Sequence, residues 1–364
     1  MRNQRAVEFD IMRIIACFCV IMIHCAVFEQ DSLYAVQSSE FLSIKFWGVI
    51  ARWAVPAFVM LSGMLILPRA DETSIKRLFE HRVLRMLITY IVWSIVYSFH
   101  NTYILGNVYA PTKFKTFIDG CFSGELHMWY LPMLAGLYIA APILAIIIKN
   151  TSRQWIKYWM LGLFTFTSLI PFIEKLNIKF ISTIISSING YMDLQFLGGW
   201  TLYFVLGYYI SNTEFSKKKE WMIYFCAGIA FLFTLIATVG FYKWYGEPMG
   251  ILSYEYPNIV IMGAGVFLLF KEKVSKFSKF SLTEECKQRI CDLSKLTFGI
   301  YLIHVLILRI LYQFGFGISL LHPIISSADS ITCSIYICCI DNMACSQNSD
   351  NRYIYSLILQ YSIS

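Results

Sequence analysis

The feature that most constrains this chain is a succession of long apolar runs. Charged residues make up only 15% of its 364 residues, against about 25% in a soluble domain. A transmembrane helix needs roughly 20 mostly apolar residues. The runs of suitable length are 9–28, 46–67, 84–102, 127–148, 158–173, 196–212, 221–241, 255–270 and 297–316. With one more span expected after His322–Pro323, the sequence predicts an all-α membrane protein, a bundle of about ten transmembrane helices.

The basic residues lie between the apolar runs and indicate an orientation. With the N-terminus in the cytoplasm, the inside segments carry 21 Lys and Arg residues and the outside segments carry 6. Since cytoplasmic loops are enriched in Lys and Arg, this distribution predicts a multi-pass protein of the plasma membrane with a cytoplasmic N-terminus. The net charge of +7 then reflects loops beside anionic lipid, and no nucleic-acid partner is expected. The first run lacks a small-residue cleavage site and is interpreted as a retained span.

Two segments differ from this pattern. Residues 271–296 are rich in Lys and are expected to form a basic amphipathic segment on the membrane surface. Residues 326–364 contain nine Ser and four Cys and no apolar run of spanning length. We therefore divide the chain into a membrane domain, 1–325, and an atypical tail, 326–364, and suggest that the reading frame changes near residue 326. The alternative is a mobile tail.

The cysteines do not point to a metal site. Cys17, Cys19, Cys25 and Cys226 lie within apolar runs, where a thiol packs as a small hydrophobic group. No pair of cysteines has the spacing and partners typical of zinc ligands, so no metal is expected.

The first apolar run, "DIMRIIACFCVIMIHC" at residues 10–25, carries Arg13 and His24. Ionisable groups within a span are costly and usually face a bundle interior or a wet cavity. The two residues lie about 20° apart around a helix and roughly 16 Å apart along it. We interpret them as the anion-binding and proton-accepting ends of one polar pore. Alternatively, Arg13 extends to lipid phosphates and His24 lies at an interface.

The second span, "WGVIARWAVPAFVMLSGMLIL", contains two further candidates. Arg52, in its outer half, is a candidate substrate-binding residue. Pro56 is expected to kink the helix because it cannot donate a backbone hydrogen bond. Ser62 is a candidate cofactor-binding residue if it faces the polar interior, and alternatively it donates to the carbonyl four residues earlier.

A basic cluster, Lys76, Arg77, Arg82 and Arg85, precedes the third span. Arg82 and Arg85 are neighbours on one helical face. Because guanidinium groups match the geometry of phosphate oxygens, this pair is a candidate phosphate clamp. The alternative is the ordinary enrichment of basic residues on the cytoplasmic side.

The fourth and ninth spans supply the remaining candidates. His127 and Trp129 open the fourth span, either as substrate-binding residues of an outer vestibule or as part of an interfacial aromatic belt. Tyr301 and His304 share one face of the ninth span and are candidate substrate-binding residues. A packing histidine remains the alternative for His304.

Together these segments resemble the acyltransferase-3 family of polytopic membrane O-acyltransferases. Each element is short, and their shared order and spacing between residues 5 and 325 carry the resemblance. The matching elements are Arg-x10-His at 13–24, VPAFVMLSG at 55–63, Arg-x-x-Arg at 82–85, HMWYLPMLAGLY at 127–138 and FGIYLIH at 298–304.

The resemblance implies an acyl donor, usually acetyl-CoA, that is reached from the cytoplasm. The acyl group would pass to a hydroxyl, typically of a cell-envelope or secreted glycan. By this analogy His24 is the essential histidine, Arg13 is its motif partner, and Arg82 and Arg85 help to hold the donor. Such a transfer needs a base, donors for the developing oxyanion and a grip on the anionic donor. Imidazole suits the first role, but the sequence assigns no residue to the second.

Two other functions fit the same residues. A multispan transporter or flippase would also need charged groups within the membrane. It would move its substrate unaltered, and the sequence shows no inverted repeat. A membrane module of a larger sensor or enzyme is the second alternative.

Overall fold

The computed structural model describes residues 6–30, 39–105, 112–176, 198–245 and 251–313. Throughout these ranges the regular structure is helical and no strand occurs, which confirms the predicted all-α class. The α-helices are α1 (Val7–Gln30), α2 (Ser39–Ala51), α3 (Ala54–Ile66), α4 (Ile75–Leu78), α5 (Leu84–Phe99), α6 (Lys113–Ser123), α7 (Tyr130–Lys149), α8 (Arg153–Phe164), α9 (Ile170–Lys175), α10 (Gly199–Ser211), α11 (Lys217–Tyr245), α12 (Pro257–Leu269), α13 (Ser275–Ser281) and α14 (Glu284–Gln313).

Several helical stretches have the length and apolar composition of membrane spans. Within the described ranges they are Ile44–Arg69, Ile75–Ile104, Lys113–Lys149, Arg153–Lys175, Lys217–Gly240 and Glu284–Leu311. Each coincides with a predicted span. The other three predicted spans coincide with α1, α10 and α12. The expected tenth span and the tail 326–364 lie outside the described residues.

The last described helix begins earlier than the sequence suggested. Thr283 Oγ1 accepts a hydrogen bond from the backbone N–H of Cys286 at 3.3 Å and so caps the start of α14. Arg289 then pairs with Glu285 one turn away, at 2.6 Å. Residues 284–296 are therefore the first turns of the same helix that contains the ninth predicted span. The expected position of residues 271–296 on the membrane surface remains a prediction.

The second span is broken into two helices. α2 ends at Ala51 and α3 begins at Ala54. Pro56 has no N–H for the carbonyl of Arg52, four residues earlier, so the helical ladder is interrupted there. The interruption expected from Pro56 thus appears one turn upstream, and Arg52 lies in the two-residue turn between α2 and α3.

The chain divides into two compact units, Met1–Leu65 with Arg153–Ser364, and Ile66–Ser152. Within the larger unit, α3 and α10 pack backbone to backbone. A Cβ atom at Gly63 would overlap the carbonyl of Phe204, and one at Gly207 would overlap the carbonyl of Met60. Small residues at such crossings are typical of helix packing in membranes.

In the smaller unit, α6 packs along α5. Tyr90 donates to the carbonyl of Phe122 at 3.0 Å, and Ser98 donates to the carbonyl of Phe117 at 2.7 Å. Gly124 ends α6 with a φ of 70°, a conformation that favours glycine. The chain then enters the short 3-10 turn Leu126–Trp129 that precedes α7.

Candidate active site

Helices α1 and α14, the first and ninth predicted spans, lie side by side and run in the same direction. Their contacts follow the same order along both helices: Asp10 with Ser294, Cys17 with the carbonyl of Thr297, and His24 with His304. The three residues of α1 are spaced seven apart, so they form one stripe along the helix. A parallel pair agrees with the predicted topology, in which these two spans cross the membrane in the same sense.

One end of this helix pair brings two imidazoles together. The ring centroids of His24 and His304 are 5.1 Å apart, and the ring planes are inclined at 57°. His304 is fully buried, and its Nδ1 lies 2.7 Å from the carbonyl oxygen of Tyr301. Because a carbonyl oxygen can only accept, Nδ1 carries the hydrogen, and Nε2 of the neutral ring bears a lone pair.

Tyr301 lies at the same end of the pair, its ring 6.0 Å from the ring of His304. The structure therefore places three of the sequence-predicted site residues, His24, Tyr301 and His304, close together. Their predicted roles in catalysis and substrate binding remain predictions.

Arg13 lies at the other end of the helix pair. Its Nη1 forms an ion pair with Oδ1 of Asp10 at 2.8 Å, and Asp10 is only 1% exposed. The same carboxylate oxygen accepts a hydrogen bond from Ser294 Oγ at 2.8 Å. The Arg13 guanidinium is thus tied into a buried contact between α1 and α14, about three turns from His24.

Asp10 and Ser294 were not identified from the sequence. An acidic residue three positions before an arginine in an apolar run is a usable signal for an ion pair. Ser294 offers no comparable signal, because it is 284 residues away in the chain.

Arg52 lies in the short turn between α2 and α3 and contacts the segment before α12. Its Nη1 donates to the hydroxyl of Tyr254 at 3.2 Å, and its guanidinium carbon lies 4.8 Å from the centre of that ring. Arg52 also lies close enough to His24 for its positive charge to act on that imidazole. The predicted substrate-binding residue Arg52 therefore lies in the neighbourhood of His24. Tyr254 was missed by the sequence analysis.

One donor of Arg52 is not used by the protein. Its Nε–H is buried and meets no acceptor among the residues that the structure describes. A buried donor without a partner loses its water without compensation, so such groups are rare and often functional.

Ser62, the predicted cofactor-binding residue of the second span, has a local partner. Its hydroxyl donates to the carbonyl of Phe58, four residues earlier, at 2.9 Å. This is the alternative that the sequence left open, and its role in donor binding remains a prediction.

The candidate phosphate clamp lies in the smaller unit. Arg82 is in the π-helical turn Phe79–Val83, and Arg85 is in the first turn of α5; both side chains are half-buried. Nearby in sequence, Asp71 forms an ion pair with Lys149 at 2.7 Å. The hydrogen bond from Lys149 lowers the pKa of Asp71. This pair holds the turn before α4 against the end of α7.

The smaller unit also contains His127 and Trp129, the predicted substrate-binding residues, which lie in the turn before α7. His127 is 2% exposed and packs edge to face on Tyr97, with ring centroids 5.2 Å apart. Trp129 remains 37% exposed. Glu125 accepts a hydrogen bond from Asn101 at 3.1 Å and caps the turn through the N–H of Leu126.

The larger unit thus combines an imidazole pair with a guanidinium inside an apolar helical bundle. This combination can accept a proton and bind a developing negative charge. In the described part of the chain, no three His, Cys, Asp or Glu side chains are arranged to hold a metal ion.

Comparison with protein families decides the class. A family model for an acyltransferase domain, Acyl_transf_3, matches residues 7–340. The chain belongs to this family. It is therefore a membrane acyltransferase, as the resemblance in the sequence predicted, and all the candidate residues above lie within the matched region.

The Acyl_transf_3 match ends inside the atypical tail that was proposed to begin at residue 326. No curated protein and no solved structure matches the chain.

Proposed function

We propose that this membrane acyltransferase transfers an acetyl group from acetyl-CoA to a hydroxyl of a cell-envelope or secreted glycan. It would act in the plasma membrane with its N-terminus in the cytoplasm. The observation that carries the proposal is the contact between His24 and His304, together with the charge of Arg52 acting on His24. Acyl transfer to a hydroxyl requires a base and a donor for the developing oxyanion, roles that an imidazole and a guanidinium can fill. The chain also belongs to a family of acyltransferases.

In this mechanism His24 is the general base. It takes the proton of the acceptor hydroxyl while the hydroxyl oxygen attacks the thioester carbonyl carbon. A carbon–oxygen bond forms, and the intermediate then collapses with cleavage of the carbon–sulfur bond. The proton on the imidazole passes to the departing sulfur, which leaves as the free thiol of coenzyme A.

His304 supports this cycle from α14. The hydrogen bond at its Nδ1 fixes the ring and directs the lone pair of Nε2 away from Tyr301. An acceptor of this kind beside His24 can orient the catalytic imidazole.

Arg82 and Arg85 are the proposed contacts for the donor. Coenzyme A carries phosphates, and two half-buried arginines at the start of the third span offer charge and geometry that suit them. The lipid bilayer and the glycan acceptor are the proposed partners.

Replacement of His24 tests the proposal. We expect His24→Ala to lower acetyl transfer at least about 100-fold while the protein still inserts in the membrane, because general-base catalysis contributes 10²–10⁴-fold. The measurement is mass spectrometry of envelope glycans from cells that lack the gene and carry the wild-type or variant copy. The matched control is Phe18→Ala, which removes an exposed side chain of the same helix.

The outcomes separate cleanly. Loss of an acetyl mass in cells with His24→Ala, but not with Phe18→Ala, supports the assignment. Equal acetylation by the wild type and His24→Ala would exclude the base role. If the glycans of cells with and without the gene show no difference in acyl mass, the proposed acceptor class is excluded.

A further inference from the structure

We propose that Arg52 is the oxyanion-binding residue of the acyl transfer. Its guanidinium would bind the carbonyl oxygen of the transferred acyl group as that oxygen becomes negatively charged. This inference rests on the proposed acyl-transfer function, and it fills the one role to which the sequence assigned no residue.

The position of Arg52 favours this role over an arginine exposed to lipid. The residue lies within an apolar span, where a guanidinium is costly unless it is engaged by protein or ligand. The break between Ala51 and Ala54 turns the backbone at this point, and Pro56 is its cause. Interrupted helices within a membrane characteristically surround binding sites.

The contacts of Arg52 hold the group and leave one donor open. The hydroxyl and ring of Tyr254 fix the guanidinium from one side. Tyr254 is itself held, because its carbonyl accepts a hydrogen bond from Tyr203. By contrast, the buried Nε–H of Arg52 has no acceptor among the described residues. Oxyanions are stabilised by hydrogen-bond donors that are already held in place before the reaction, and the Nε–H of Arg52 is a donor of this kind.

The placement relative to the base is also suitable. In the tetrahedral intermediate, the attacking oxygen and the oxyanion are bonded to the same carbon atom, so the base and the oxyanion donor must act on neighbouring atoms. Arg52 is an electrostatic neighbour of His24 and belongs to the same compact unit. A permanent positive charge in an apolar surrounding stabilises the intermediate more than the neutral thioester, which is the condition for a rate effect.

The test compares Arg52→Ala and Arg52→Lys with the wild type. The purified full-length protein is reconstituted in lipid bilayers, with acetyl-CoA as donor and deacetylated envelope glycan as acceptor. We expect Arg52→Ala to lower kcat by about 10²–10³-fold with little change in KM for either substrate, as for other oxyanion donors. Arg52→Lys should retain part of the activity, since it keeps the charge but loses the fixed Nε–H. Added guanidinium ion should restore part of the activity of Arg52→Ala.

Three results would overturn the assignment. A wild-type kcat in Arg52→Ala excludes an oxyanion role. A raised KM for the glycan with an unchanged kcat shows instead that Arg52 binds the acceptor. Thermal unfolding of each variant is measured in parallel. If Arg52→Ala lowers stability and guanidinium ion restores no activity, the role of Arg52 is structural and the inference fails.

Two controls complete the experiment. Arg153→Ala removes an exposed arginine of the same unit, whose partner is the carbonyl of Asn212, and should leave kcat unchanged. His24→Ala distinguishes the two proposals. If His24→Ala is inactive and Arg52→Ala is fully active, only the oxyanion assignment fails, whereas full activity of His24→Ala excludes the proposed mechanism itself.

Discussion

The two ends of the α1–α14 pair use polar groups in different ways. At the Asp10 end, a carboxylate, a guanidinium and a hydroxyl satisfy one another in a buried contact. At the His24 end, two imidazoles meet, the charge of Arg52 acts on His24, and that arginine keeps a buried N–H for which the described protein offers no acceptor. A satisfied network stabilises the pairing of helices, whereas an open donor is available to a ligand. The Asp10 end therefore holds α1 against α14, and the His24 end is the site of the proposed chemistry.

The largest effect is expected at the satisfied end. Asp10→Asn keeps the shape of the side chain but removes the carboxylate that pairs with Arg13. We expect the free energy of unfolding to fall by about 3 kcal/mol, because breaking a buried ion pair leaves a charge without its counter-charge. Thermal unfolding of the purified protein in detergent measures it, with Glu8→Gln on the same helix as the control. Equal stability of the two variants would contradict the positioning role of this end.

The next effect concerns the other end. His304→Phe keeps a ring of similar size at a fully buried position but removes both ring nitrogens. We expect acetyl transfer to fall by about 100-fold, near the lower limit of general acid–base effects, with little loss of stability. Activity and thermal unfolding are measured on the same preparation. If His304→Phe is fully active, or is inactive only because it unfolds, His304 does not take part in the reaction.

The smallest effect returns to the Asp10 end. Ser294→Ala removes one hydrogen bond to the carboxylate but leaves the ion pair with Arg13 in place. We expect a loss of about 1–2 kcal/mol in stability, as for a hydrogen bond to a charged group, and a kcat close to that of the wild type. If Ser294→Ala instead lowers kcat without lowering stability, this end also takes part in chemistry and the contrast between the two ends fails.

Much of the architecture could be read from the sequence, since a span in a bilayer must satisfy its backbone internally and present apolar side chains. Each of the nine predicted spans coincides with a described helical stretch, and the second of them is divided into two helices. Two differences between the predicted and the observed helices, the break near Arg52 and the early start of α14, have local signals in the sequence. Pro56 predicted a kink, but its consequence falls at Arg52, one turn earlier. Thr283, a capping residue, marks the start of α14 within a segment that was assigned to the membrane surface.

The sequence predicted which residues belong to the candidate site better than it predicted which of them contact each other. Arg13, His24, Arg52 and His304 stood out because ionisable groups are rare within apolar runs. Which of them meet could not be read from spacing along one helix. Arg13 and His24 share a face of α1, yet Arg13 pairs with Asp10 and His24 with His304.

The sequence by itself determined the membrane-embedded helical class, the acyltransferase family and the list of polar groups that the bundle must accommodate. The helical class follows from hydropathy and charge distribution, and the family from the order and spacing of short motifs along the chain. All of these can be read without knowing which helices contact each other. Only the tertiary structure decided that Arg52, a residue of a broken helix, stands with a histidine of α1 near one of α14. Contacts between helices hundreds of residues apart depend on how the apolar faces pack, and no local pattern encodes that packing.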